Sequence, residues 1–303
     1  MTPVVSSSSS YNLELLLEHL RIEPAALVQV NAVEGSVPRE AGAWMAVFSN
    51  AVIGTVGGGH LEFEAIAQAR LLLASGGAQS TRFALGPALG QCCGGVVRLR
   101  FECVGAGDIA ALRLRLQPAL QPVALFGGGH VGHALVDVLA RLPFAVTWID
   151  SRDDVFPGGL TGFSAAAPQE TIRALGGHSV AQSERAWGPN VICEHSEPVQ
   201  SAVRGLAAQS RVLIMSFSHA EDLEVLAACL QRQREHADLP YIGLIGSKTK
   251  WATFRSRLRA RGYAEAELAH VTSPIGVPDI AGKEPEVIAV AVAAQLLQGI
   301  NRV

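Results

Sequence analysis

The chain has 303 residues, of which 49% are hydrophobic and only 17% charged, and it carries a formal net charge of −3. That length is enough for two domains with proper cores. The slightly acidic balance argues against nucleic acid or an anionic membrane as the main partner. No run of about 18 apolar residues is present, so no bilayer-spanning helix is expected.

Residues 1–10, "MTPVVSSSSS", have neither the positive start nor the apolar stretch of a secretory signal and read as a disordered tail. The five cysteines (Cys92, Cys93, Cys103, Cys193, Cys229) are an odd number and, one adjacent pair apart, are scattered. That is no disulfide framework, so the expected compartment is the reducing cytoplasm.

A Pro-containing stretch, "QPALQP" at 117–122, divides two differently patterned halves. In the first, residues 13–22 read as an amphipathic helix, 25–60 as three strands joined by turns, 61–75 as a helix, and 94–104 as an alternating strand. This predicts an α+β domain over 11–118. In the second half, "PVALFGGGHVGHALVDVLARLPFAVTWIDSR" (122–152) reads strand, Gly-rich turn, helix, strand, acid. Strand-then-helix units follow from 211 and from 240, with a closing helix over 284–300, while 153–190 carry no clear pattern. Alternating units of this kind predict a Rossmann-like, doubly wound parallel sheet over 122–303. The fold class is therefore α/β with a preceding α+β domain. The similar segments "GTVGGGHLEFEA" (54–65) and "ALFGGGHVGHAL" (124–135) are both strand-to-helix turns, and the rest of the two halves does not align, so they are not read as a repeat.

Gly127, Gly129 and Gly132 form a G-x-G-x-x-G turn after a strand and before a helix, with Asp150 ending the next strand. This is the context a dinucleotide fingerprint requires. Gly127 suits the tight turn, Gly129 the approach of a pyrophosphate, and Gly132 helix–strand packing, with Asp150 facing ribose hydroxyls. His130 puts an imidazole where a phosphate would lie, either assisting an anion or narrowing its space. NAD(P) is a possible ligand that nothing else in the sequence supports, and the turn also reads as architecture alone. His219, at a strand's carboxyl end, is either a ligand contact or a loop residue.

"LGQCCGG" (89–95) sets two cysteines in an open turn. The candidate roles are a vicinal disulfide, half a metal site, one working thiolate, or core filling. A vicinal disulfide is strained and reducible, and zinc needs three or four ligands where no C-x-x-C partner exists. Filling suits one cysteine but not both among Gly90, Gly94 and Gly95. A thiolate in an N–H-rich turn is a soft ligand for a thiophilic metal centre, and Gln91 adds an amide donor. His60 and Glu64 stand one helical turn apart, a spacing that can hold a metal, but with no third ligand in view the first-turn acids Glu62 and Glu64 read as favourable helix charge.

The chain resembles the xanthine dehydrogenase accessory protein family (XdhC, related to CoxI) over nearly its whole length. The resemblance is carried by "SVPREAGAWMAV" (36–47), "GTVGGGHLEFEA", "LGPALGQCCGGVV" (85–97), "LFGGGHVGHAL", "WIDSRDDVFP" (148–157), "YIGLIGSKTK" (241–250) and "SPIGVPDIAGKEPEVIAVAVAAQLL" (273–297). It implies a chaperone rather than a catalyst: a dimeric protein that binds and protects molybdenum cofactor (molybdopterin), supports its sulfuration by a cysteine desulfurase, and delivers it to apo-xanthine dehydrogenase. The family's glutamine–cysteine–glycine motif falls on Gln91, Cys92, Cys93, Gly94 and Gly95, which implies that Cys92 or Cys93 contacts molybdenum, Cys92 being favoured beside Gln91. Many relatives carry cysteine where this chain has His60. A thiolate suits the metal end of such a cofactor and a Gly-rich helix start its phosphate end, with Lys248 and Lys250 as further phosphate candidates. The rival readings are an NAD(P)-dependent oxidoreductase, a thiol redox sensor using Cys92 and Cys93, and a plain scaffold.

Overall fold

The computed structural model describes residues 9–86, 94–152, 154–156 and 187–300. The chain forms two compact units, Met1–Pro118 and Ala119–Val303.

The first unit is a five-stranded antiparallel sheet with helices on both faces. Its elements run α1 (Ser9–His19), β1 (Ala25–Glu34), β2 (Trp44–Val47), β3 (Val52–Gly54), α2 (Gly59–Ser75), β4 (Ala78–Ala84), β5 (Val96–Val104) and α3 (Ile109–Leu116), with strand order β3-β2-β1-β5-β4. The apolar run "AALVQV" is the central strand, and its side chains alternate between two cores. Ala26, Val28 and Val30 join Leu61, Ala65 and Ala69 of α2, whereas Ala25 and Leu27 join Leu13, Leu16 and Leu17 of α1. Each buried Leu or Val contributes about 1.5–3 kcal/mol relative to exposure, which holds both helices to the sheet. The register pairs Val28 with Met45 on one side and Phe101 on the other.

The second unit carries β6 (Gln121–Phe126), α4 (His130–Leu139), β7 (Phe144–Asp150), β8 (Val191–His195), β9 (Arg211–Ile214), α5 (His219–His236), β10 (Tyr241–Leu244), α6 (Lys248–Ala260), α7 (Glu265–Leu268), β11 (Val271–Thr272) and α8 (Pro285–Ile300). All its strand pairings are parallel, in the order β11-β10-β9-β6-β7-β8. Sequence order reverses between β6 and β9, and ligands of such sheets bind at the carboxyl ends flanking that reversal. Alternation again divides two cores: Ala124, Phe126, Val212 and Ile214 pack with α5 and α6, and Val123, Leu125 and Leu213 pack with α4 and α8. An α+β unit followed by a Rossmann-like sheet is the expected fold class.

Several elements differ from expectation. The first helix spans Ser9–His19 rather than 13–22, and Ile22 beyond its end is 83% exposed. β4 has one buried residue, Phe83, and among the described residues pairs only with β5, so no hydrophobic alternation announces it. The short β8, β11, α3 and α7 were likewise not legible. Among the described residues no helix is long and apolar enough to cross a membrane.

Candidate functional site

The carboxyl ends of β6, β7, β9 and β10 form the candidate site of the second unit. β6 runs into Gly127, whose φ of +127° is a conformation for glycine. A Cβ there would stand 2.1 Å from the Met215 carbonyl oxygen, so the turn lies directly on the backbone leaving β9. The Gly127 carbonyl accepts the Trp148 indole N–H at 2.9 Å, and a Cβ on Gly132 would lie 2.2 Å from that same oxygen. Both glycines therefore sit where the backbone comes too close for a side chain, Gly127 against Met215 and Gly132 against Gly127. Gly129 differs: it caps α4 with extended backbone and no side chain of its own, and nothing lies within 4 Å of where its Cβ would be. The first N–H groups of α4 have no intrahelical acceptor and carry the positive end of the helix dipole. Gly129 and His130 are both exposed at this end.

Asp150 is turned onto the turn itself rather than left open to a sugar hydroxyl. Its Oδ2 accepts the Gly128 N–H at 2.5 Å and Arg152 Nη2 at 3.0 Å, and its Oδ1 accepts the Arg152 backbone N–H and Nε, each at 2.9 Å. Asp150 is only 2% exposed. Arg152, its pKa raised by the hydrogen bonds to that carboxylate, lies 4.6 Å over the exposed ring of Phe217.

The neighbouring wall is held by a second buried carboxylate. Asp222 Oδ1 accepts the Ser216 N–H and hydroxyl, both at 2.8 Å, and its Oδ2 accepts Lys250 Nζ at 2.6 Å. Lys250 also donates to the Ile245 carbonyl at 2.8 Å. Lys250, expected as a phosphate candidate, instead commits its ammonium to Asp222 and the Ile245 carbonyl, with its side chain 10% exposed. Lys248 remains exposed. His219 follows the capping Ser218 at the start of α5 with its ring perpendicular to that of Phe254, and the His133 ring stands perpendicular to the Trp148 indole.

In the first unit, Gly95 before β5, the segment after β1 and the turn before α2 come together at one end of the sheet. A Cβ on Gly95 would lie 2.4 Å from the Ser36 carbonyl oxygen, and one on Gly57 would lie 2.5 Å from Pro38 Cγ. The 34–38 segment is thus clasped between the start of β5 and the turn before α2. Glu62 reaches back from α2 into that turn, where its Oε2 accepts the Thr55 hydroxyl at 2.5 Å and the N–H groups of Val56 and Gly58 at 3.1 Å each. Expected only as first-turn charge, Glu62 closes the turn. His60 is half exposed and pairs with Glu64 at 3.0 Å. No group of three potential ligands gathers at a metal-binding spacing among the described residues. Nothing lies within 4 Å of a Cβ built on Gly94. Gln91, Cys92 and Cys93 lie outside the described residues.

Of the other thiols, burial pushes Cys193 up to about 11 and Cys229 up to about 12, while Cys103 donates to the Leu72 carbonyl at 3.4 Å. Sequence reasoning missed Arg152, Ser216 and Asp222 as structural parts of the crevice. Their signal is weak, because each partnership depends on the fold rather than on local spacing.

Strand order, switch point and glycine turn define the second unit as a Rossmann domain. The description "XdhC Rossmann domain" matches residues 123–296, and "XdhC and CoxI family" matches residues 20–84. The chain belongs to the XdhC and CoxI family. A crystal structure from Bacillus halodurans, described as a xanthine dehydrogenase, shares the fold with a TM-score of 0.70 at 20% identity, covering 95% of each chain. The "Uncharacterized protein YqeB" of Escherichia coli (strain K12) is 24% identical over 286 residues, 92% of this chain and 44% of that protein. The chain thus spans less than half the length of that relative.

Proposed function

We propose that the protein is a maturation factor for xanthine dehydrogenase that carries molybdenum cofactor as cargo. The observation that carries this reading is the family match in both units, in order along the chain. In this reading the protein binds and shields the cofactor, supports its sulfuration by a cysteine desulfurase, and passes it to apo-xanthine dehydrogenase. It acts as a cytoplasmic homodimer and performs no turnover of its own.

The proposed metal-end residues are Cys92 or Cys93, assisted by Gln91, Gly94, Gly95 and His60. Either thiolate is a soft, anionic ligand of the type molybdenum accepts. The proposed phosphate-end residues are Gly127, Gly129, His130 and Gly132, at a helix start whose free N–H groups suit an anion. The open space at Gly129 supports this assignment. Asp150 contributes by shaping the turn through Gly128.

The test is reconstitution. Apo-xanthine dehydrogenase is given isolated cofactor in air, with and without the protein. The proposal predicts recovery of activity that depends on the protein and falls when both Cys92 and Cys93 are replaced by alanine. Recovery that is the same without the protein overturns the delivery role.

A further inference from the structure

At the amino end of the parallel sheet, away from the crevice, Arg211 opens β9 and is only 7% exposed. Its Nη1 donates to Gln121 Oε1 at 3.0 Å and its Nη2 to the Gly299 carbonyl at 3.4 Å. Both acceptors are neutral, and among the described residues no carboxylate pairs with this guanidinium. Burial lowers its pKa for the same reason: the charge is desolvated without a counter-charge. A guanidinium has five N–H donors, and two are used here.

Beside Arg211 lies a cavity of about 390 Å³, bounded also by Pro240, Tyr241, Gln295, Leu296 and Gln298. That volume falls in the range of small-molecule sites, roughly 300–1,000 Å³. Gln295 contributes a second donor. Its Oε1 accepts both the Tyr241 hydroxyl at 2.7 Å and the Gly276 N–H at 2.8 Å. Two donors on one atom fix it as the amide oxygen, so the NH₂ group is the one left over. Capping the end of α8 explains the bond to Gly299. It leaves the adjoining cavity and the unused donors without a purpose.

We infer that this cavity is a binding site for a small oxyanion, a carboxylate or a phosphate, held by Arg211 and the Gln295 amide with its apolar part against Leu296 and Pro240. The inference is independent of the cofactor reading, since no proposed cargo residue lines the cavity.

Thermal unfolding of the full chain tests it, with malonate or phosphate titrated against chloride at fixed ionic strength. Binding predicts a rise in Tm that grows with the logarithm of anion concentration above Kd and reaches about 2–5 °C at tenfold excess over Kd. The rise is lost in Arg211→Gln and weakened in Arg211→Lys, which keeps the charge but not the fork. Gln298 is exposed on the cavity rim, so Gln298→Glu folds normally and abolishes the rise by placing a competing carboxylate there. The anion with the lower Kd names the class. A Tm that follows ionic strength alone, or a rise undiminished in Gln298→Glu, overturns the site.

Discussion

The Asp150 carboxylate holds the Gly128 N–H at 2.5 Å, 22 residues away in sequence, and Arg152 clamps the same carboxylate from the other side. The acid that ends the second strand of this Rossmann unit is thus a structural part of the Gly-rich turn. Truncating it orphans a buried N–H and removes the carboxylate that Arg152 is hydrogen-bonded to. Asp150→Ala is expected to lower unfolding free energy by about 2–4 kcal/mol, read by urea denaturation. A loss below ~0.5 kcal/mol would show that the contact does not stabilise the turn.

The same geometry leaves no open acceptor on Asp150 for a ribose diol. NADH is therefore expected to give no saturable change in its nicotinamide fluorescence at micromolar concentration. Sub-micromolar binding of NAD(H) would contradict this and bring the oxidoreductase reading forward.

Gly127 and Gly129 separate packing from access. Gly127→Ala adds a methyl 2.1 Å from the Met215 oxygen at positive φ and is expected to cost about 2–5 kcal/mol. Gly129→Ala meets nothing within 4 Å and should stay within about 0.5 kcal/mol of wild type. Circular dichroism melts of the two variants decide the matter, and equal destabilisation would refute the distinction. In the proposed function, Gly129→Ala also weakens cofactor binding while leaving the fold intact.

The buried pair of Asp222 and Lys250 joins the loops after β9 and β10. Asp222→Ala strands an ammonium in a low-dielectric wall and should cost about 3–5 kcal/mol. Replacing both residues, as Asp222→Leu with Lys250→Met, should recover much of that loss. If the double variant is no more stable than the single, charge pairing is not what holds the wall.

Cys193 and Cys229 titrate near 11 and 12 rather than 9.0 because burial disfavours the thiolate. Raised folded values mean that their share of stability is whole below pH 9 and is lost as pH rises toward those values. At pH 8 the thiolate fractions fall by about 10²–10³ relative to a free thiol. Alkylation followed by peptide mass spectrometry should find both unmodified in native protein and modified after denaturation. Rapid native labelling of Cys229 would show that its site is open.

Much of the fold was legible because periodicity and glycine placement report directly on backbone conformation. The strand–turn–helix–strand run from β6 to β7 and the central β1 were read from such patterns. β4 was not, because an edge strand with one buried side chain has no alternation to display. The partnerships of the crevice were illegible for another reason. Asp150 could equally face a sugar or its own turn, and only the fold, which sets Gly128 against its oxygen, decides. Lys250 looked like a free phosphate ligand because its partner, Asp222, lies 28 residues away. Glu62 was seen as helix charge, whereas the three donors it gathers come from the turn preceding its helix.

The proposal that this chain carries molybdenum cofactor on the thiolate of Cys92 or Cys93 is decided by anaerobic loading. Wild type, Cys92→Ala, Cys93→Ala and, as a control, Cys229→Ala are incubated with isolated cofactor and gel-filtered. Molybdenum and pterin are then measured in the protein peak, with folding checked for each variant. Stoichiometric molybdenum and pterin are expected on wild type and Cys229→Ala, with loss in Cys92→Ala or Cys93→Ala. Wild-type protein that elutes without molybdenum, or undiminished binding in both Cys92→Ala and Cys93→Ala, contradicts the carrier role.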